Sequence, residues 1–85
     1  MHESLLNIVR EGAMLIEYLI RSVHDPSFIP LSKWIIVIRH RGAPNDEKKI
    51  KGSKVTKVDR RGIYYESVEG EIFIPFRRII RLELS

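Results

Sequence analysis

The 85-residue sequence predicts an α+β fold: an N-terminal amphipathic helix packed on a small antiparallel, barrel-like β-sheet of about five strands. Two observations lead there. Apolar residues recur at a spacing of three and four only in the first part of the chain. From residue 34 onward, short segments rich in β-branched and aromatic residues alternate with turn signals. The length predicts a single domain, residues 1–85, with a small core.

The helix is expected over residues 4–23. Leu5, Ile8, Val9, Ile16, Leu19, Ile20 and Val23 form its stripe, Asn7, Arg10, Glu17 and Arg21 face the other way, and Ser4 is a fair N-cap. Asp25-Pro26 ends it, because a residue before Pro avoids the helical region. The stripe is wide enough to cover a sheet or to serve as a dimer face. After a connector over 25–33, strands are expected at 34–40, 54–58, 62–67, 71–76 and 79–84. Asp59-Arg60-Arg61-Gly62 reads as a type I turn and Glu69-Gly70 as a tight hairpin. Pro75 cannot donate to a ladder, so the sheet must bend, bulge or expose an edge there, which places Arg77 and Arg78 at a corner.

Composition narrows the function classes. With no cysteine there is no disulfide framework and no thiolate site. The longest apolar run, WIIVI at 34–38, is far short of a membrane span. Glu3, Glu11 and Glu17 interrupt the N-terminal apolar pattern, which argues against a secretory signal. A cytoplasmic protein without a membrane partner is expected. Thirteen isoleucines, no glutamine and many charges lean toward a heat-loving source. Residues 1–32 carry Arg10 and Arg21 against Glu3, Glu11, Glu17 and Asp25, whereas 33–85 carry thirteen Lys/Arg against seven Asp/Glu. The basic character therefore belongs to the β region and suits a polyanion such as nucleic acid.

Catalytic patterns are thin. His2, His24 and His40 stand in no metal-ligand spacing, and no Walker-type phosphate loop appears, so neither an enzyme nor a cofactor is expected. The stretch from Arg39 to Lys49 is the most informative. Along a strand Trp34, Ile36, Ile38 and His40 share one face, while Ile35, Val37, Arg39 and Arg41 share the other. Arginines offer planar forks for phosphate, Gly42 allows positive φ or close approach, and Pro44 with Asn45-Asp46 makes a stiff turn. This composes an oxyanion cradle or, more plainly, a charged strand end running into an exposed turn. Near Arg60-Arg61, one of Tyr64 and Tyr65 must point outward, as an RNA-stacking aromatic would. Phe73 and Phe76 are better read as core. Lys48, Lys49, Lys51, Lys54 and Lys57 add a diffuse field that speeds encounter without choosing a ligand.

HRGAPNDEKKI at 40–50 and IPFRRIIRLE at 74–83 resemble a family of small, mostly archaeal proteins, the RNA cyclic group end recognition domain. The likeness covers residues 34–83. It implies a part in RNA repair or processing beside an RNA ligase, phosphoesterase or nucleotidyltransferase, recognising a 2′,3′-cyclic phosphate end. His40, Arg41 and Gly42 match the first motif, and Pro75 and Arg78 the second. Asn45 stands where the family has Gly, a mild change because Asn tolerates positive φ. Arg77 stands where it has His, which keeps a charge but loses a titratable donor and acceptor. The expectation is a non-catalytic RNA-binding module, monomeric or weakly dimeric, gripping a phosphate with Arg39, His40, Arg41, Gly42, Asn45, Arg77 and Arg78. The alternative is a scaffold subunit that docks on an RNA-processing enzyme without touching RNA.

Overall fold

The computed structural model describes residues 8–10 and 13–84. Strand β1 (Ile8–Arg10) precedes helix α1 (Ala13–His24), and six strands follow: β2 (Trp34–Arg39), β3 (Glu47–Lys51), β4 (Val55–Val58), β5 (Gly62–Ser67), β6 (Gly70–Pro75) and β7 (Ile79–Leu84). The fold is α+β, with two antiparallel sheets in the orders β1-β7-β2-β3 and β4-β5-β6.

Three expectations need correction. The sheets are open and separate, so the barrel does not close, and residues 34–84 hold six strands where five were expected. The additional one, β3, lies in the charged stretch after the Arg-His-Arg cluster and pairs with β2 from Ile35↔Lys51 to Arg39↔Glu47. The helix begins at Ala13, because Ile8–Arg10 pair with β7 instead. β-branched Ile8 and Val9 suit a strand at least as well as a helix. The proposed cap at Ser4 falls outside the described residues.

The core fills the space between the sheets. Trp34, Ile36, Ile38, Ile50, Ile79 and Leu82 from the first sheet meet Val58, Ile63, Tyr65 and Ile74 from the second. The helix closes one end of this sandwich with Leu15 and Leu19, and Ser22 Oγ accepts a hydrogen bond from Trp34 Nε1 at 3.0 Å. Val37 is fully buried yet lies outside this cluster, on the opposite face of β2 beside Arg81 and Lys49. There the long stems of charged side chains replace a second core layer.

Single 3₁₀ turns pass the chain between sheets: Gly52–Lys54 leads from β3 to β4, and Phe76–Arg78 from β6 to β7. The corner expected after Pro75 is the second of these, and β6 is an edge strand, where a Pro is tolerated. The chain also reverses at 59–62, where a turn was expected, but the reversal is held by the Asp59 side chain, whose Oδ1 accepts the N–H groups of Arg61 (2.8 Å) and Gly62 (3.1 Å), and by Asp59 N–H donating to the Gly62 carbonyl at 3.0 Å. Gly62 serves a second purpose: a Cβ there would lie 2.2 Å from the Ile74 carbonyl oxygen, so only glycine lets β5 and β6 approach.

Candidate functional site

At the end of the sandwich away from the helix the core opens into a cleft of about 370 Å³. Ile38, Ile72 and Ile74 form its apolar floor. His40 and Lys48 enter from the first sheet, Tyr65 and Ser67 from the second, and Arg78 from the corner turn; Val68 and Glu69 stand at the hairpin rim. Alternation explains the set. His40 and Lys48 continue the inward rows that contain Ile38 and Ile50, and Tyr65 and Ser67 continue the row of Ile63. Each row begins in the core and turns polar where the sheets part.

The donors differ in how far they are committed. Lys48 Nζ lies 3.4 Å from Tyr65 Oη and 5.8 Å from the centre of that ring, so the ammonium and the phenol sit side by side. Arg78 donates one N–H to the Arg39 carbonyl oxygen at 2.8 Å and keeps the rest of its fork. Ser67 Oγ already donates to the Gly70 carbonyl (2.8 Å) and accepts from Glu69 N–H (3.0 Å). The His40 ring is exposed, and among the described residues its side chain makes no hydrogen bond. Lys48, Arg78, His40 and Tyr65 thus face a hollow with one rim carboxylate, Glu69.

The loop that carries His40 is stitched from within. His40 N–H donates to the Asp46 carbonyl at 2.7 Å, Ala43 N–H to the His40 carbonyl at 3.1 Å, and Asp46 N–H to the Ala43 carbonyl at 2.7 Å. Asn45 and Asp46 both take the left-handed conformation, at φ 57° and 55°, within the turn expected there, and Gly42 has φ 92°. The Gly42 amide is spent internally on Asp46 Oδ1 at 3.1 Å. A carboxylate of the chain itself occupies the place where a cradle would hold an external oxyanion, so the role of Gly42 is to shape the turn.

The residues singled out in the sequence fall into three groups. The two motifs do meet: Ile38 pairs with Ile79, and Arg78 reaches the Arg39 carbonyl. His40 and Arg78 share the cleft between the sheets. Arg39, Arg41 and Asn45 line a separate hollow on the other face of the first sheet, with Asp46, Glu47 and Ile80. Ile80 is there because β7 bulges: Val37 pairs with Arg81 but Ile38 with Ile79, leaving one residue unpaired. Arg77 points to neither, lying on the outer face of the second sheet with Arg61, Tyr64, Phe73 and Pro75. The expected outward tyrosine is Tyr64. Phe73, expected in the core, is 38% exposed instead, while Phe76 packs partly against it.

Lys48 and Tyr65 were not in the expected set. Alternation from Ile50 back to Lys48 would have found the lysine had 47–51 been read as a strand. Among the described residues no group of three or more His, Asp or Glu is arranged to hold a metal, and no helix is long and apolar enough to cross a membrane. Comparison with protein-family models, with curated proteins and with solved structures gives no match in any of the three.

Proposed function

We propose that the protein is a non-catalytic RNA-binding module whose inter-sheet cleft receives a phosphate-bearing strand end in RNA repair or processing. One observation carries this reading: the convergence of His40, Lys48, Tyr65 and Arg78 over an apolar floor. A phosphate oxygen would take hydrogen bonds from the guanidinium, the ammonium and the imidazole, while the terminal ribose would lie on Ile72 and Ile74. The likeness of 40–50 and 74–83 to the cyclic-end recognition family supports a 2′,3′-cyclic phosphate as the preferred end. A ligase, phosphoesterase or nucleotidyltransferase would then act on the RNA so held. Arg39 and Arg41, on the reverse face, would attract the strand without gripping its end.

Short RNAs of one sequence ending in 2′,3′-cyclic phosphate, 3′-phosphate or 3′-hydroxyl test this by titration. The phosphate-bearing ends should bind about tenfold tighter than the hydroxyl, and Lys48→Met or His40→Ala should abolish the difference, since a hydrogen bond to a charged group contributes about 1.5–3 kcal/mol. Arg41→Ala should weaken all three RNAs alike. Equal binding of the three by the unaltered protein would refute end recognition. The docking reading is favoured by Ile20 and Val23, which are exposed on the helix. It would be supported instead by salt-tolerant association lost in Val23→Glu.

A further inference from the structure

The outer face of the second sheet holds a feature the cleft does not use. Tyr64 and Phe73 are cross-strand partners on β5 and β6, their ring centres 4.9 Å apart and their planes inclined at 48°. Around them, Arg61, Pro75 and Arg77 complete an open hollow of about 590 Å³. Lys57 Nζ lies 5.5 Å from the Tyr64 ring centre. Phe73 is exposed and Tyr64 half-buried, so two adjacent aromatic rings reach solvent beside three cations. Among the described residues, the side chains of Arg61 and Arg77 are in no ion pair or hydrogen bond. Of the acids close by in the fold, Asp59 accepts the turn amides of Arg61 and Gly62, Glu71 accepts a hydrogen bond from Thr56 Oγ1 at 2.6 Å, and Glu66 stands opposite Glu71 on the same outward row, toward the hairpin end and away from Arg61, Pro75 and Arg77.

We propose that this face is a second nucleic-acid site, a platform on which one or two unpaired bases of a single strand stack against Phe73 and Tyr64 while Arg61, Arg77 and Lys57 take the flanking phosphates. Charge complementarity selects the occupant. Two accessible ring faces edged by cations suit a polyanion that carries flat bases, and an apolar peptide would leave those charges unanswered. The platform shares no residue with the cleft. The two are nonetheless connected through edge strand β6, whose Ile72 and Ile74 line the cleft while Phe73 lies on the platform, and through the corner turn, whose Arg78 serves the first and Arg77 the second. A strand rounding the open edge of β6 would meet both.

Binding is measured at low salt for an eight-nucleotide RNA ending in 3′-hydroxyl and for an abasic oligomer of the same length and charge. The base-bearing strand should bind at least about tenfold tighter, as stacking of a single base provides. Phe73→Leu and Tyr64→Leu should remove that preference, with retained emission of the buried Trp34 as the check on folding. Arg77→Gln should weaken both oligomers, and Lys48→Met should leave the base preference intact. Equal affinity for the two oligomers, an unchanged preference in Phe73→Leu, or binding of a peptide and not of RNA at Tyr64 and Phe73 would each overturn the platform. The end-recognition reading fails by a different result, equal affinity for the three 3′ ends, so the two are decided separately.

Discussion

Asp46 shows how much one side chain can fix. Its backbone sits at φ 55°, where Asp and Asn are tolerated better than most residues, its carbonyl anchors His40 N–H, and its carboxylate anchors Gly42 N–H. Asp46→Ala should therefore cost about 1–2 kcal/mol by removing an acceptor and placing an ill-suited residue in the left-handed region. Asp46→Asn, which keeps Oδ1 and the conformational tolerance, should stay close to the parent. Urea unfolding of the two variants checks this, and equal losses would show that the side-chain bond to Gly42 contributes nothing. The turn itself was legible, because Pro44-Asn45-Asp46 offers few other conformations. The loss of the Gly42 amide to an internal carboxylate was not, since the direction of one carboxyl group depends on the loop closing. Likewise Arg77 and Arg78 read as a pair in the sequence, yet a single 3₁₀ turn sends them to opposite faces of a sheet.

Among the elements, β2 was the most legible. A continuous apolar run with period-two alternation leaves little freedom, and the separation of His40 from Arg39 and Arg41 follows from it. Strand β3 was not, because Glu47-Lys48-Lys49-Ile50-Lys51 has a single buried side chain and owes its conformation to pairing with β2. Lysines on an edge strand also discourage further pairing. The outer face of this sheet is tied by charge. Arg81 makes a two-pronged contact with Glu47, at 2.9 and 3.0 Å, and contacts Glu83 at 2.7 Å, while Lys49 reaches Glu83 at 3.5 Å. Hydrogen bonds from Arg81 hold the Glu47 carboxyl below its ordinary value of 4.5, and they lower Glu83 as well. Asp25, bonded by Ser27, and Asp59, bonded by the Arg61 amide, are lowered in the same direction. A depressed folded pKa means that the unfolded chain takes up protons first. The stabilisation is complete above the ordinary carboxylate range and is lost as pH falls through the folded values. Stability should be level near neutrality and decline from about pH 4.5 downward. Glu47→Gln should be less stable than the parent at pH 7, and the two should converge in acid. Trp34, the sole tryptophan and fully buried, reports the transition by a red shift of its emission. A difference independent of pH would remove the Arg81–Glu47 pair from the account.

For the whole molecule, the unequal division of charge along the sequence acquires a spatial meaning. Arg39 and Arg41 leave one face of the first sheet, His40, Lys48 and Arg78 enter the cleft, and Arg61, Arg77 and Lys57 border the outer aromatic pair. The sequence showed that the β region is basic but not that seven of its thirteen lysines and arginines sort into three groups, because the sorting depends on two sheets that pair within themselves and remain open to each other. Closure of a barrel is decided by contacts between distant strands, and no local pattern encodes it. The sorting has a measurable consequence. A strand that placed its end in the cleft and its body on the platform would have about four phosphates neutralised, so log K should fall with log salt at a slope near −3, at about 0.7 per phosphate for a single strand. Replacing Arg61 and Arg77 together by Gln should reduce the slope to about −1.5 and leave the preference among 3′ ends unchanged. Lys48→Met should do the reverse, abolishing the end preference while changing the slope by less than one. If instead both alterations change slope and end preference together, the two faces form one undivided basic surface, and a strand that rounds the edge of β6 is ruled out as the mode of binding.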